Sequence, residues 1–459
     1  MEGSTNSDLG GLRSKLDGDL VRPEDAGWNE ARQAWNLAID QRPKAVAYAA
    51  GPEDVAAVVR YAGEHGLGVV TQGTGHGAGS LEWADDVLLV KTERLNGIEV
   101  DADGQRARVE AGVLWRDALD AAQEHGLAGL TGSSPDVGVV GYTIGGGVGW
   151  LGRRYGLACN SVHAIELVTA DGEQRRVDAG AEPELFWALR GGGGGFGVVT
   201  AIEIGLFPVS EVYAGNLIFA GEDGREVFQR YREWAAGAPD EVTSIARFLH
   251  PPPLPFVPEP LRDRLVVTLG VCYTGGEDEG AELIAPLREI GEPIMDTFET
   301  IPAAQLVAVH MDPEQPVPAT GFHALIEELS DETVDAFVGA VGPGSGSPLL
   351  LAELRQLGSA LSTPAPDGGA LPCIDAAYSL NTVGSLMDPS AREAIMHHFD
   401  VLRDALAPWS TSGSYLNFAE QRAGFDTLFP AESRERLTEV KERWDPDDRF
   451  RANYSFGTA

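Results

Sequence analysis

Positive charge is scarce in this chain. Its 459 residues include 34 lysines and arginines against 70 aspartates and glutamates, a formal net charge of −36 at pH 7. Such a surface repels phosphate backbones, so nucleic acid is excluded as the expected partner. The acidic residues are scattered rather than gathered in a tail, and read as a solvated surface. Cysteine is scarcer still. Cys159, Cys272 and Cys373 lie far apart with no C-x-x-C pair, which excludes a disulfide framework and a structural zinc site. The histidines form no spaced cluster. His397 and His398 are adjacent and would point about 100° apart on a helix, so they cannot share an ion. No metal is expected. No run approaches the roughly 18 apolar residues of a membrane span. The first eight residues, Met1 to Asp8, lack the basic and apolar regions of a signal peptide. The expectation is a cytoplasmic protein with no membrane partner, working as a monomer or homodimer.

What the chain has in plenty is glycine, 57 residues of it, and much of it is clustered. One run is Gly73-Thr-Gly-His-Gly77. A second is the stretch Val137 to Gly156, and a third is Gly191-Gly-Gly-Gly-Gly-Phe-Gly197. Glycine lacks a Cβ and tolerates positive φ, so such runs let main-chain N–H groups crowd onto something large. Each is flanked by strand-like segments, which points to a nucleotide-bearing cofactor. Two runs fit the dinucleotide spacing G-x-G-x-x-G, at 147–152 and 192–197. That fingerprint needs a strand, a turn and then a long helix. Gly156 breaks any helix after the first, and the second leads into a strand. A nicotinamide-binding Rossmann fold is therefore the lesser alternative.

The length predicts two or three domains. Strands are predicted at 42–49, 68–70, 86–90, 107–111, 163–169 and 198–207, with helices at 54–65 and 114–125. Asp171-Gly172 reads as a hairpin turn. Pro208 ends this block. Beyond it, predicted strands at 216–220, 264–272 and 376–380 alternate with helices at 226–236, 279–290, 331–341 and 390–406, suggesting a sheet covered on one face. A last amphipathic helix, 432–444, stops at Asp445-Pro446. There are no internal repeats.

Four motifs then stand in a telling order: Gly73-Thr-Gly-His-Gly77, the Gly138–Tyr155 block running on to Asn160, Leu189-Arg-Gly-Gly-Gly-Gly-Gly-Phe-Gly197, and Trp444-Asp-Pro-Asp-Asp-Arg-Phe-Arg-Ala-Asn453. With the leader Trp35-Asn36 to Arg42-Pro43, they resemble berberine-bridge-type FAD-linked oxidases of the vanillyl-alcohol oxidase and p-cresol methylhydroxylase flavoprotein superfamily. The resemblance spans nearly the whole chain. It implies an α+β fold, with a two-subdomain FAD-binding domain at 1–208 and an inserted substrate domain at 209–408. The latter would be an antiparallel sheet backed by helices, and 409–459 would return to the FAD domain.

Carried over by residue, the resemblance makes Gly73, Thr74, Gly75, His76 and Gly77 the pyrophosphate loop, whose successive N–H groups can also form an anion-binding nest on physical grounds. His76 would bond covalently to the flavin 8α-methyl. Relatives often carry a second link from a cysteine in C-x-x-V-G. Here the run is Ser134-Pro-Asp-Val-Gly138, so a single link is expected. Gly138, Gly141, Thr143, Gly146, Gly147, Gly149 and Trp150 would contact flavin and pyrophosphate. Gly156, Asn160 and Val162 would follow the ribityl–adenosine path, Gly197 and Val199 would lie near the adenine, and Val137 by the oxygen-reacting face. Tyr415, in Tyr415-x-Asn417, matches a tyrosine placed over the isoalloxazine. To act as a base it must be drawn below its ordinary pKa of about 10, so it needs a helper that sequence does not identify. Tyr378 is the runner-up. Asn417 and Asn453 would bond the ring edge or place Tyr415, and His310 and His323 read as structural. The implied reaction passes a hydride from an alcohol, sugar or amine carbon of a small molecule to flavin N5, with O₂ reduced to H₂O₂. The alternatives are a flavin dehydrogenase with another acceptor, an NAD-dependent dehydrogenase, or a non-catalytic flavin-binding protein.

Overall fold

The computed structural model describes residues 9–81, 86–255 and 257–456. Three sheets appear in chain order. The first holds β1 (Asp19–Val21), β2 (Ala45–Tyr48), β3 (Gly68–Gln72) and β4 (Val87–Lys91), in the order β1-β2-β4-β3. β2, β4 and β3 run parallel. Parallel strands are covered on both faces and so read as unbroken apolar runs; every residue of β4 is buried. The helix Pro52–His65 joins β2 to β3, with proline in its first turn and Gly66 closing it at φ 63°. Both choices suit the unsatisfied groups at helix ends.

The second sheet holds β5 (Ile98–Asp101), β6 (Arg106–Glu110), β7 (Val162–Val168), β8 (Gln174–Asp178) and β9 (Val198–Gly205), antiparallel in the order β5-β6-β9-β7-β8. β7 and β8 form the predicted hairpin, with Gly172 at φ 76°.

The third sheet is wholly antiparallel. It contains β10 (Glu211–Ala220), β11 (Val242–Leu249), β12 (Val266–Tyr273), β13 (Met295–Asp296), β14 (Glu299–Pro302), β15 (Ala319–Ile326), β16 (Leu351–Gln356) and β17 (Tyr378–Ser385). The order is β13-β10-β12-β11-β16-β17-β15, with β14 on β10. Helices Gly224–Ala235, Glu277–Arg288, Asp331–Val341 and Arg392–Leu406 cover one face. Their Phe228, Tyr231, Phe337 and Phe399 pack on Phe219, Leu269, Phe248, Leu354 and Leu380. Each such side chain contributes about 1.5–3 kcal/mol on burial. Side chains alternate across a strand, so the neighbours of these residues point the other way. There Ala214, Ile245 and Cys272 meet Leu130, Trp150 and Leu151 of the glycine-rich block. Buried Arg153 fastens this contact, donating to the carbonyls of Val242 at 2.6 Å, Ala238 at 3.2 Å and Leu357.

The expected α+β class and helix-backed antiparallel sheet are present. β11, β15 and β16 were not expected. They mix polar with apolar residues, and a search for apolar runs passes over them. The C-terminal segment returns to the first sheet: Phe450 bridges Val69 in parallel, and Arg451 N donates to the Val69 carbonyl at 3.1 Å. Asp445 accepts from Arg449 N at 2.9 Å and Phe450 N at 2.8 Å. Buried Lys441 donates to Asp445, to Phe450 O and to Gly195 O, which ties this turn to the third glycine run. No helix among the described residues is long and apolar enough to cross a membrane.

Candidate active site

The Gly73–Gly77 loop follows β3 directly. Among the described residues, none of its five amides donates a hydrogen bond, so the loop presents a row of free N–H groups. Gly75 sits at φ 92°, and a Cβ there would lie 2.8 Å from Ala34 Cα, so only glycine fits. Thr74 O accepts from Trp35 N at 3.0 Å. The His76 ring stacks on Trp35 with centroids 4.2 Å apart. Its Nε2 lies 3.5 Å from Asp136 Oδ1, too far for a full hydrogen bond, and finds no other partner among the described residues. Asp136 also accepts from Ser134 Oγ at 2.8 Å and from Trp35 Nε1. Burial would raise its carboxyl, but the His76 ring and these two donors hold it below the usual range. Asn453 Nδ2 donates to Gly77 O at 3.2 Å and to Ser80 Oγ at 2.5 Å, bracing the loop exit.

Beside this loop runs the helix Val139–Ile144, entered through Gly138. Among the described residues, a Cβ built on buried Gly138 or on exposed Gly141 meets nothing within 4 Å. Empty space therefore borders both backbones. The Thr143 hydroxyl of the same helix is buried without a partner among the described residues, as is that of Tyr142, whose ring packs against Gly147 and Gly149. Free amides, Cβ-less walls and the orphaned Thr143 hydroxyl together fit the dinucleotide implied above. The glycines that follow serve close packing instead. Gly147, at φ 81°, would press a Cβ to 2.5 Å from Ala158 Cβ. Gly146 (φ 125°) and Gly156 (φ 88°) take conformations that favour glycine, and Gly149 lies hard against the Thr131 carbonyl. Gly197 leaves no room beside β7, its Cβ position being 2.7 Å from Leu167 Cδ1. Val162 and Val199 lie in the core behind the site, Trp150 in the contact between the layers, and Val137 is half-buried at the loop's edge.

Two asparagines hold protein rather than open space. Asn417 Oδ1 accepts from Gly147 N at 2.8 Å and its Nδ2 donates to Tyr142 O at 2.9 Å, clamping the glycine block. Asn160 donates to Leu371 O and Pro372 O and accepts from Gly369 N, a clasp to the third-sheet domain.

Above the cradle lies the helix-free face of the third sheet. Pairing aligns Arg247, Glu353, Asn381 and His323 in one row across β11, β16, β17 and β15. The next row holds Ile245, Arg355, Ser379 and Leu325. Glu353 Oε2 lies 2.5 Å from His310 Nε2 and its Oε1 accepts from Arg355 Nε at 3.0 Å. Arg247 donates to His310 O at 2.7 Å, and His310 Nδ1 lies 2.6 Å from Asp312 Oδ1. Ser133 Oγ donates to Asp312 at 3.1 Å, linking this network to the loop of Ser134 and Asp136. Burial alone would raise the carboxyls of Glu353 and Asp312. Arg355, His310 and Arg247 hold Glu353 below its usual range, and His310 and Arg247 do the same for Asp312.

Tyr415 is 1% exposed and adopts an extended backbone before a short turn at 416–418, rather than a strand. Its hydroxyl lies 3.0 Å from Ser379 Oγ. Burial pushes its pKa up, against the pull of Arg355 and Ser379. His323 meets its ring edge-on at 4.8 Å, with Nε2 3.2 Å from Ser379 Oγ and Nδ1 3.2 Å from Ser414 Oγ. Burial lowers His323 to about 3. Tyr378, by contrast, is on the wrong side: it packs among the helices of the third sheet, one residue out of phase with Ser379. His323, expected to be structural, sits within β15 and faces the cradle. Arg247, Asp312, Glu353, Arg355, Ser379 and Asn381 were missed. Opposite charges two residues apart in an otherwise apolar segment, Glu353-x-Arg355, are the signal that could have found the last strand pair.

Residues 43–178 match the FAD binding domain family and 414–456 the berberine and berberine-like family. The chain is 30% identical over 460 residues to (R)-6-hydroxynicotine oxidase of Paenarthrobacter nicotinovorans, covering 96% of each. Its structure is similar to that of 6-hydroxy-D-nicotine oxidase from Arthrobacter nicotinovorans, with a TM-score of 0.81, 27% identity and coverage of 97% and 98%. A berberine-bridge-enzyme-like variant from Physcomitrella patens shares the fold at a TM-score of 0.86, with 21% identity and coverage of 98% and 99%. With its cradle, its clamping tail and these likenesses, the chain belongs to the berberine-bridge-type FAD-linked oxidoreductases.

Proposed function

We propose that this enzyme is an oxidase that removes a hydride from a hydroxyl- or amine-bearing carbon of a small molecule, with O₂ as final acceptor. The observation that carries the reading is the facing of two surfaces: a glycine cradle with uncommitted amides, and a sheet face of buried polar and charged side chains. Residues 1–208 with 409–459 would form the FAD unit, and 209–408 the substrate unit. FAD would supply hydride acceptance at N5 and electron delivery to oxygen. Gly73–Gly77 would hold its pyrophosphate, Gly138, Gly141 and Thr143 would border its ring, and His76 would tether it. The tether would be single, because Ser134 offers a hydroxyl where relatives carry the linking cysteine.

Tyr415 handles the substrate proton. Raised by burial, it starts as a neutral phenol, so it accepts a proton only by passing on its own. Ser379 stands at 3.0 Å to receive that proton, and His323 Nε2 follows at 3.2 Å. A histidine lowered to about 3 stays neutral at physiological pH, so it orients Ser379 through this contact and the proton passes on to solvent rather than resting on the ring. Arg355 counters the cost of negative charge on Tyr415. Arg247 Nε and Asn381 Nδ2 lack partners among the described residues and would orient substrate acceptor atoms.

The test is anaerobic mixing with 6-hydroxynicotine, simple aryl alcohols and oligosaccharides, read as loss of the flavin's visible absorption. Peroxide on readmission of air supports the oxidase; reoxidation by quinones but not air makes it a dehydrogenase. Tyr415→Phe should slow reduction at least about 10²-fold, a usual worth for positioned proton transfer, with flavin content unchanged. Equal rates remove Tyr415 from the mechanism.

A further inference from the structure

We infer that Asp136 is the positioning and proton-accepting partner of His76 while FAD becomes attached. This rests on the reading of His76 as the tether.

One indole holds both groups. Trp35 stacks on the His76 ring at 4.2 Å and donates its Nε1–H to Asp136. Its own backbone N–H donates to Thr74 O at 3.0 Å, fixing the indole to the glycine loop. Ser134 Oγ takes a second position on the carboxylate at 2.8 Å. Asp136, 6% exposed, is thereby pinned with Oδ1 3.5 Å from His76 Nε2. Catalytic hydrogen bonds are often loose before the reacting partner is in place. A buried carboxylate with a neutral backing and an unpartnered imidazole nitrogen in front of it is an arrangement for moving a proton.

The chemistry fits that geometry. With Nε2–H turned to Asp136, Nδ1 carries the free lone pair and is the nucleophile. Attachment forms a bond from Nδ1 to the flavin 8α carbon and breaks one C–H bond at that carbon. The ring, now cationic, loses its Nε2 proton to Asp136, which releases it to water; the carbon's hydrogen also leaves as a proton. The electron pair of the broken C–H bond stays on the flavin until O₂ takes both electrons, with two protons, as H₂O₂. Atoms and electrons balance with oxygen as the sole oxidant.

The experiment follows attachment of FAD to wild type, Asp136→Asn and Asp136→Glu in air. Acid precipitation partitions bound from released flavin, and intact mass counts the adduct. Wild type should keep its flavin in the pellet. Asp136→Asn retains size and an acceptor but not the proton sink, so it should bind FAD releasably and attach it about 10²-fold more slowly, the low range for general-base catalysis. Asp136→Glu should recover part of the rate. Attachment by Asp136→Asn at the wild-type rate overturns the inference alone. So does an Asp136→Glu protein no faster than Asp136→Asn, which would mark a purely structural role; this comparison also decides the matter if Asp136→Asn holds no flavin. A wild type that releases its FAD overturns the tether reading itself.

Discussion

Gly141 offers a perturbation whose sign should depend on whether FAD is present. It lies inside the helix Val139–Ile144, and a methyl group there meets no atom of the described residues within 4 Å. In the flavin-free protein, Gly141→Ala should therefore be stabilising, by about 0.8–1 kcal/mol from helix propensity. If the space above Gly141 belongs to the cofactor, the same methyl overpacks the complex. Overpacking costs about 1–3 kcal/mol, or roughly five- to 150-fold in Kd. The measurement uses a His76→Ala background, in which FAD binding is reversible. Urea unfolding without flavin gives the first quantity and fluorescence titration with FAD the second. Gly147→Ala is the control. Its Cβ would sit 2.5 Å from Ala158 Cβ with φ at 81°, so it should weaken the flavin-free fold as well, by about 1–2 kcal/mol from left-handed strain alone. Unchanged FAD affinity in Gly141→Ala would refute the cradle, since the space would then be plain solvent.

Two further outcomes concern the elements around the cradle. Glu353→Gln leaves Arg247 and Arg355 facing one fewer carboxylate, which should cost about 3–5 kcal/mol of stability near pH 7. Because the folded-state pKa of Glu353 lies below its ordinary value, its contribution is present above that ordinary value and disappears as pH falls through the folded one. The wild-type advantage in urea unfolding should thus hold down to the ordinary carboxylate range and shrink as pH falls below it; a pH-independent difference would contradict it. Asn417→Ala strands the Gly147 N–H and the Tyr142 carbonyl, at about 1–3 kcal/mol for each buried group. It should loosen FAD far more than it disturbs the third sheet. Hydrogen exchange confined to 139–150 is the expected signature, and exchange spread across β10–β17 would count against it.

What was legible in the sequence, and what was not, follows from how local each constraint is. The glycine loops declared themselves because close backbone approach requires residues without a Cβ: Gly75 against Ala34 and Gly147 against Ala158 are demands met position by position. Helices such as Asp331–Val341 showed through their apolar periodicity. The side chains opposite the cradle were another matter. Arg247, Glu353, Asn381 and His323 come from four strands and meet only through sheet register. Three of those strands hide because polar residues interrupt their apolar runs, among them Arg247, His323, Glu353 and Arg355 on the site face. Tyr378 shows the limit most sharply. In a strand, one residue of phase decides between the core and the site, and β17 turns Ser379 and Asn381 to the cradle while Tyr378 goes to the helices. The helper that Tyr415 required was likewise out of reach, because Arg355 and Ser379 reach it from β16 and β17, not from its own segment. Local backbone chemistry thus announced the cofactor, whereas the groups that would select and deprotonate a substrate depend on long-range pairing, which a linear reading does not contain.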